Sequence, residues 1–190
     1  MKTLKNKFLT SVCVLLAASF SLNAQTMDNT VAVGGEAMYP KKNIVENAVN
    51  SKNHTTLVAA VKAAGLVETL QGKGPFTVFA PVNDAFENLP AGTVETLLKP
   101  ENKATLTKVL TYHVVSGTHD FNGIAKMIKD GKGKATMKTV SGGTLTAMMN
   151  GDHNIMIKDE AGNVANIAVY NVMQSNGVIH VIDAVVLPKM

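Results

Sequence analysis

Two apolar runs of strand type, each closed by a proline, constrain this chain more than any other feature. The first is Gly74-Pro75-Phe76-Thr77-Val78-Phe79-Ala80-Pro81, continued by Val82-Asn83-Asp84-Ala85-Phe86. The second is Asn176-Gly177-Val178-Ile179-His180-Val181-Ile182-Asp183, running on to Leu187-Pro188. Both are rich in β-branched and aromatic residues, which favour a pleated, buried surface. Proline cannot donate to a ladder, so Pro81 and Pro188 act as strand stops.

The ends of the chain set its boundaries. Lys2, Lys5 and Lys7 precede an uncharged apolar run from Phe8 to Phe20, and Ala24 offers a small residue at a cleavage point. Residues 1–24 thus predict a secretory signal peptide, too short in its apolar part to span a membrane. No transmembrane segment is expected once it is cleaved. Cys13, the only cysteine, lies inside that run, so the mature chain is expected to hold no disulfide and to depend on its core. Residues 25–40, with Gly34-Gly35, read as a flexible leader. Residues 41–188 then make one domain.

Charge excludes one class of partner. The formal net charge is +4, and three of those charges leave with the signal segment. All 18 basic residues are lysine. Arginine is the usual reader of phosphates and base edges, so a near-neutral exported chain without it is not expected to bind nucleic acid.

Periodicity divides the domain into a helical part and a strand part. Ile44, Ala48 and Val49 share one helical face, and Leu57, Val61 and Ala64 share another, with Thr55 or Thr56 as cap and Gly65 as stop. Asn83-Asp84 predicts the cap of a short helix over 85–89, and Thr93 to Leu98 predicts another. Leu106, Val109, Leu110 and His113 follow the i, i+3, i+4, i+7 spacing of a longer helix. From Met137 on, strands alternate with turns: 137–140, 144–149, a tight turn at Asn150-Gly151, 154–158, 164–173, 178–182 and 185–187. Helices first and hairpins later predict an α+β class with an antiparallel sheet.

These blocks resemble the fasciclin domain, the beta-Ig-H3/fasciclin-like family. Thr77 to Pro81 with Asn83, Ala85 and Phe86 is similar to its first block, Tyr112-His113 to its central Tyr-His pair, and Asn176 to Pro188 to its last block. Met137-Lys138-Thr139 followed by Gly143 is similar to its middle strand, while Val82 stands where threonine is frequent. The resemblance covers about 41–188. It implies a wedge or sandwich of antiparallel strands with helices packed along it. It also implies a bacterial single-domain member, secreted to the periplasm or cell surface. Family members mediate adhesion, so an extracellular-matrix or surface protein, or a polysaccharide, is the implied partner. Animal members place an integrin-contacting aspartate where this chain has Asn171. An amide cannot supply a carboxylate to an integrin metal, so that mode of adhesion is not expected here.

The motif residues themselves predict structural work. Phe76, Thr77, Phe79, Pro81, Asn83, Phe86, Asn176, Gly177, His180, Asp183 and Pro188 belong to strands, their stops and their hydrogen bonds. A buried neutral imidazole needs a partner for each nitrogen, and Asn83, Asp84, Tyr112 and Asp183 are the side chains suited to His113 and His180. Tyr112 and His113 are also candidate binding residues. So are Lys126, Lys129, Lys132, Lys134 and Lys138, the one dense basic stretch, in which Asp130 is the only acid and Gly131 and Gly133 suggest an exposed loop. No HExxH pair or GxSxG elbow occurs, so neither a metal site, a catalytic site nor a cofactor is expected. An adhesion module is the expected function. A carrier of a small apolar ligand such as a lipid or pigment is the alternative, suggested by methionines at 148, 149, 156 and 173, and a hydrolase ranks below it.

Overall fold

The computed structural model describes residues 29–189. The predicted signal peptide and its cut site lie outside the described residues. The first structured piece is a hairpin of β1 (Val31–Val33) and β2 (Glu36–Met38). This corrects the expected flexible leader. Gly34 and Gly35 both take positive φ, 62° and 80°, as a two-residue hairpin turn requires. Val33 and Met38 are then buried in the core.

Five of the seven helices among the described residues follow the expected patterns, and two were not expected. Two caps differ. Asn83, expected with Asp84 to cap the short helix after the first block, is instead its first residue, and the second helix is capped from elsewhere. The helices are α1 (Ile44–Ala48), α2 (Thr55–Ala64), α3 (Val67–Gln71), α4 (Asn83–Glu87), α5 (Thr93–Leu97), α6 (Lys103–Tyr112) and α7 (Phe121–Asp130). Asn43 and Glu46 form a reciprocal capping box on α1. The start of α2 is not capped by Thr55 or Thr56. Instead Asn83 Oδ1 accepts from Thr56 N at 3.1 Å and Thr55 Oγ1 at 3.2 Å, while its Nδ2 donates to Lys52 O at 2.9 Å. A first-block residue thus caps a helix far away in sequence.

The main sheet has seven strands in the order β4 (Val114–Ser116), β3 (Phe76–Pro81), β9 (Gly177–Ile182), β8 (Val164–Gln174), β7 (Asn154–Lys158), β6 (Thr144–Asn150) and β5 (Ala135–Lys138). Its end strands approach one another: Val115 bridges Thr139, and Val140 N donates to Val114 O at 2.8 Å. The sheet therefore curls upon itself. The class is α+β, as expected, but the sheet is mixed. β3 and β9 run parallel, Phe76 opposite Gly177 and Pro81 opposite Ile182. Hairpin turns enforce antiparallel pairing only between consecutive strands, and these two are joined by the rest of the domain. The expected strand over 185–187 does not form. Val185 and Val186 are buried beyond the sheet without ladder partners.

The parallel pair divides the core in two. Val78, Ala80, Ile179 and Val181 face one cluster, built with α1, α2, α3 and α6. Phe79 and Ile182 face the other, enclosed by the curled sheet with Ile124 and Ile128 of α7 against it. All six positions of β9 are buried. A strand covered on both faces must be apolar throughout, which is why this segment does not alternate.

Candidate functional site

Most of the motif residues are built into this interior. Asn176 Oδ1 accepts from Ile44 N at 3.1 Å, and its Nδ2 donates to Leu70 O and Gly72 O, each at 2.8 Å. It ties the start of α1 and the end of α3 to the entry of β9. Gly177 has no room for a side chain, since an added Cβ would lie 2.0 Å from Phe76 O. Thr77 is fully buried, and its hydroxyl donates to Gly117 O at 2.7 Å and accepts from His119 N at 2.9 Å. Asp183 accepts from Asn166 N at 2.7 Å and Asn166 Nδ2 at 2.9 Å. Phe76 and Phe86 pack half-buried on the first cluster, and Pro81 and Pro188 are buried.

The two histidines find backbone partners rather than the side chains expected. His113 Nδ1 donates to Val109 O at 2.8 Å, and Val186 N donates to Nε2 at 3.3 Å. That assignment makes the ring neutral. Burial pushes its pKa down to about 4, against the weaker opposing pull of the Val109 carbonyl. His180 Nε2 donates to His119 O at 2.8 Å, and Asn171 N points at Nδ1 from 3.5 Å. Burial lowers its pKa as well. Asn83, Asp84, Tyr112 and Asp183 hold neither ring. Sequence pattern cannot reveal a carbonyl as a partner, because every residue carries one.

Tyr112 is wholly buried and His113 nearly so, which removes both from any surface contact. Tyr112 Oη donates to Thr144 O at 2.6 Å and accepts from Glu160 N at 3.1 Å. Desolvation pushes its pKa up to about 12. A buried carboxylate beside it escaped the sequence reading. Asp159 accepts from Ala161 N, Asn163 N and Asn163 Nδ2 within its own turn, and from Leu187 N at 3.0 Å. The Asp-x-Ala-Gly-Asn turn was legible as a turn. Its hold on the last segment was not.

Asn171 is the residue that the resemblance sets against the animal aspartate. It sits at a positive φ of 56°, within an irregular stretch of β8, and its Oδ1 accepts from Phe121 N at 2.7 Å. The side chain is committed to holding the start of α7.

All five lysines of the stretch are exposed. The stretch is less of a loop than expected: Lys126 and Lys129 lie on α7, Lys132 and Lys134 in the turn, and Lys138 on β5. Lys126 Nζ bonds Asp130 Oδ2 at 2.6 Å. Lys129, Lys132, Lys134 and Lys138 have no ion pair among the described residues. A shallow groove beside them is lined by Ser116, His119, Met127 and Lys138.

An apolar cavity lies on the helical face of the sheet and is lined by none of Met148, Met149, Met156 and Met173. It has a volume of about 240 Å³ and lies between α1, α2, α3 and the parallel pair. His54 lines it, its Nδ1 2.9 Å from Ser51 Oγ. His54 Nε2 makes no hydrogen bond of ordinary geometry. Burial lowers the pKa of this ring, and the main chain of Ala80 opposes that weakly. Ser51 Oγ also donates to Val33 O, so the pair fastens the N-terminal hairpin. No carboxylate orients the ring. Among the described residues no group of His, Cys, Asp and Glu could hold a metal ion, and no helix is long and apolar enough to cross a membrane.

Comparison with known proteins agrees with this architecture. Protein sll1483 of Synechocystis sp. is 45% identical over 168 residues, which span 87% of this chain and 84% of that one. The cell surface glycolipoprotein MPB83 of Mycobacterium bovis is 34% identical over 170 residues, covering 87% of this chain and 68% of the relative. A solved FAS1 domain pair from the insect cell adhesion molecule fasciclin I superposes with a TM-score of 0.68 at 16% identity, over 83% of this chain and 57% of that one. That likeness establishes the fold. The family model described as the fasciclin domain matches residues 52–188, and this chain belongs to the fasciclin domain family.

Proposed function

We propose that this chain is an exported, non-enzymatic interaction module that docks on anionic surface polysaccharide through the lysines between α7 and β5. Membership of a family with adhesion molecules and cell surface proteins supports a surface interaction module. The observation that carries the finer reading is the set of four exposed lysines at 129, 132, 134 and 138, without an ion pair among the described residues. Most of the motif residues are buried, which leaves less diagnostic surface to meet the partner. Exposed lysines attract polyanions at long range and lose that attraction as salt screens it.

Export is part of the proposal and rests on the signal-like residues 1–24. Expression with cell fractionation tests it: the product should leave the cytoplasm with a new N-terminus near residue 25. The docking test is retention on a column of carboxylated or sulfated glycan. Changing Lys129, Lys134 and Lys138 to Gln together should shift elution to lower salt, with the melting temperature unchanged. Unchanged elution would remove the lysines from the binding surface. Retention on a matrix-protein array but on no glycan would name a protein partner instead.

A further inference from the structure

The cavity under α1, α2 and α3 is separate from the lysine strip and has its own chemistry. Its walls are mainly aliphatic and aromatic, and no carboxylate lines it. Its histidines, His54 and His113, are buried and held neutral. Lys62 is its one charged lining residue, exposed in the last turn of α2 and without an ion pair among the described residues. Val49 and Val140 also line it while 47% and 46% exposed, so the apolar wall continues to the surface.

We propose that this cavity binds the tail of a single-chain anionic amphiphile, a straight-chain fatty acid, with its carboxylate at Lys62. Size selects one chain. The volume, about 240 Å³, falls below the ~300–1,000 Å³ of sites that engulf drug-sized molecules. A cavity of ~150 Å³ accepts the six carbons of benzene, which scales to roughly ten carbons here. Polarity selects a hydrocarbon, because the walls are overwhelmingly apolar and offer too few polar partners to replace water along a polar tail. Charge selects the head group, because a cation at the rim faces no competing acid. Lys62 stays hydrated there, so it steers and orients while the tail supplies most of the affinity.

The test is titration calorimetry of the purified chain with straight-chain carboxylates from six to fourteen carbons. Affinity should rise about fourfold per added methylene, the equivalent of burying one CH2, and level off near ten carbons. Lys62→Glu should weaken decanoate about fivefold and leave 1-decanol unchanged. Ala48→Phe, from the half-buried lining of α1, should abolish both ligands while the melting temperature holds. If that variant does not fold, the chain-length series on the unaltered protein still decides. No saturable binding at any length overturns the proposal. So does affinity that climbs steadily through fourteen carbons, which marks adsorption to the surface. Equal effects of Lys62→Glu on acid and alcohol overturn the anionic head group.

Discussion

Phe79 and His180 stand in register across the parallel pair at the centre of the sheet, their rings stacked with centroids 5.7 Å apart and planes 25° from parallel. Each comes from one of the two apolar motifs. The contact is where those motifs meet, and the imidazole Nε2 also holds His119 O at 2.8 Å. His180→Ala should lose the stack and the hydrogen bond and cost about 3 kcal/mol. His180→Phe keeps an aromatic ring but strands the carbonyl, for about 1–3 kcal/mol. Urea denaturation checks both. A cost below half a kcal/mol in either variant would mean the ring is not part of the support.

Gly177→Ala should prevent folding or cost more than any surface change. Its Cβ would press on Phe76 O at 2.0 Å, and that contact is backbone in the central ladder, which cannot move aside. Gly151→Ala is the control, with positive φ of 72° but open space around it, and should cost about 1 kcal/mol. Similar circular dichroism and melting for the two variants would contradict the packing explanation.

Asn176→Ala should leave Ile44 N, Leu70 O and Gly72 O without the partner they now share. The expected loss is about 3 kcal/mol, since several buried groups go unsatisfied together. Hydrogen exchange gives the sharper readout. The Ile44 amide should lose protection by more than the global destabilisation explains.

Stability should fall with acid across a defined window. The folded His113 has a pKa of about 4 against 6.5 for free imidazole, with burial as the main cause. Its folded value is depressed, so the unfolded chain binds the proton first. Stability is therefore full above about pH 6.5, declines as pH falls, and levels for this group below about 4. The His113 share is roughly 3 kcal/mol over the window. His54 and His180 are also lowered by burial and act in the same direction. His113→Gln should be less stable at pH 7 and lose less between pH 7 and 4.5. Equal pH slopes for the two proteins in urea titrations would refute this assignment.

Much of the domain was legible because its signals are local. Asn150-Gly151, the helical spacing of Leu106 to Leu110 and the apolar runs each act within a few residues. The missed hairpin was equally local: Gly34-Gly35 between Val33 and Glu36 is a two-residue turn signal, obscured by its nearness to the signal segment. The histidine partners were missed for another reason. Backbone carbonyls such as Val109 O and His119 O leave no mark in a residue pattern. The cavity was invisible because its wall gathers residues from Val33 to Ile179, most of them ordinary core types.

By itself the sequence determined that Phe76 to Pro81 and Gly177 to Ile182 would be buried strands, because taking β-branched and aromatic runs out of water lowers the free energy wherever they are placed. Only the tertiary structure decided that the two lie side by side and parallel, splitting the core into two clusters and leaving a cavity under one. Pairing across that separation depends on which surfaces remain uncovered once all the others have packed, and no local stretch of chain carries that information.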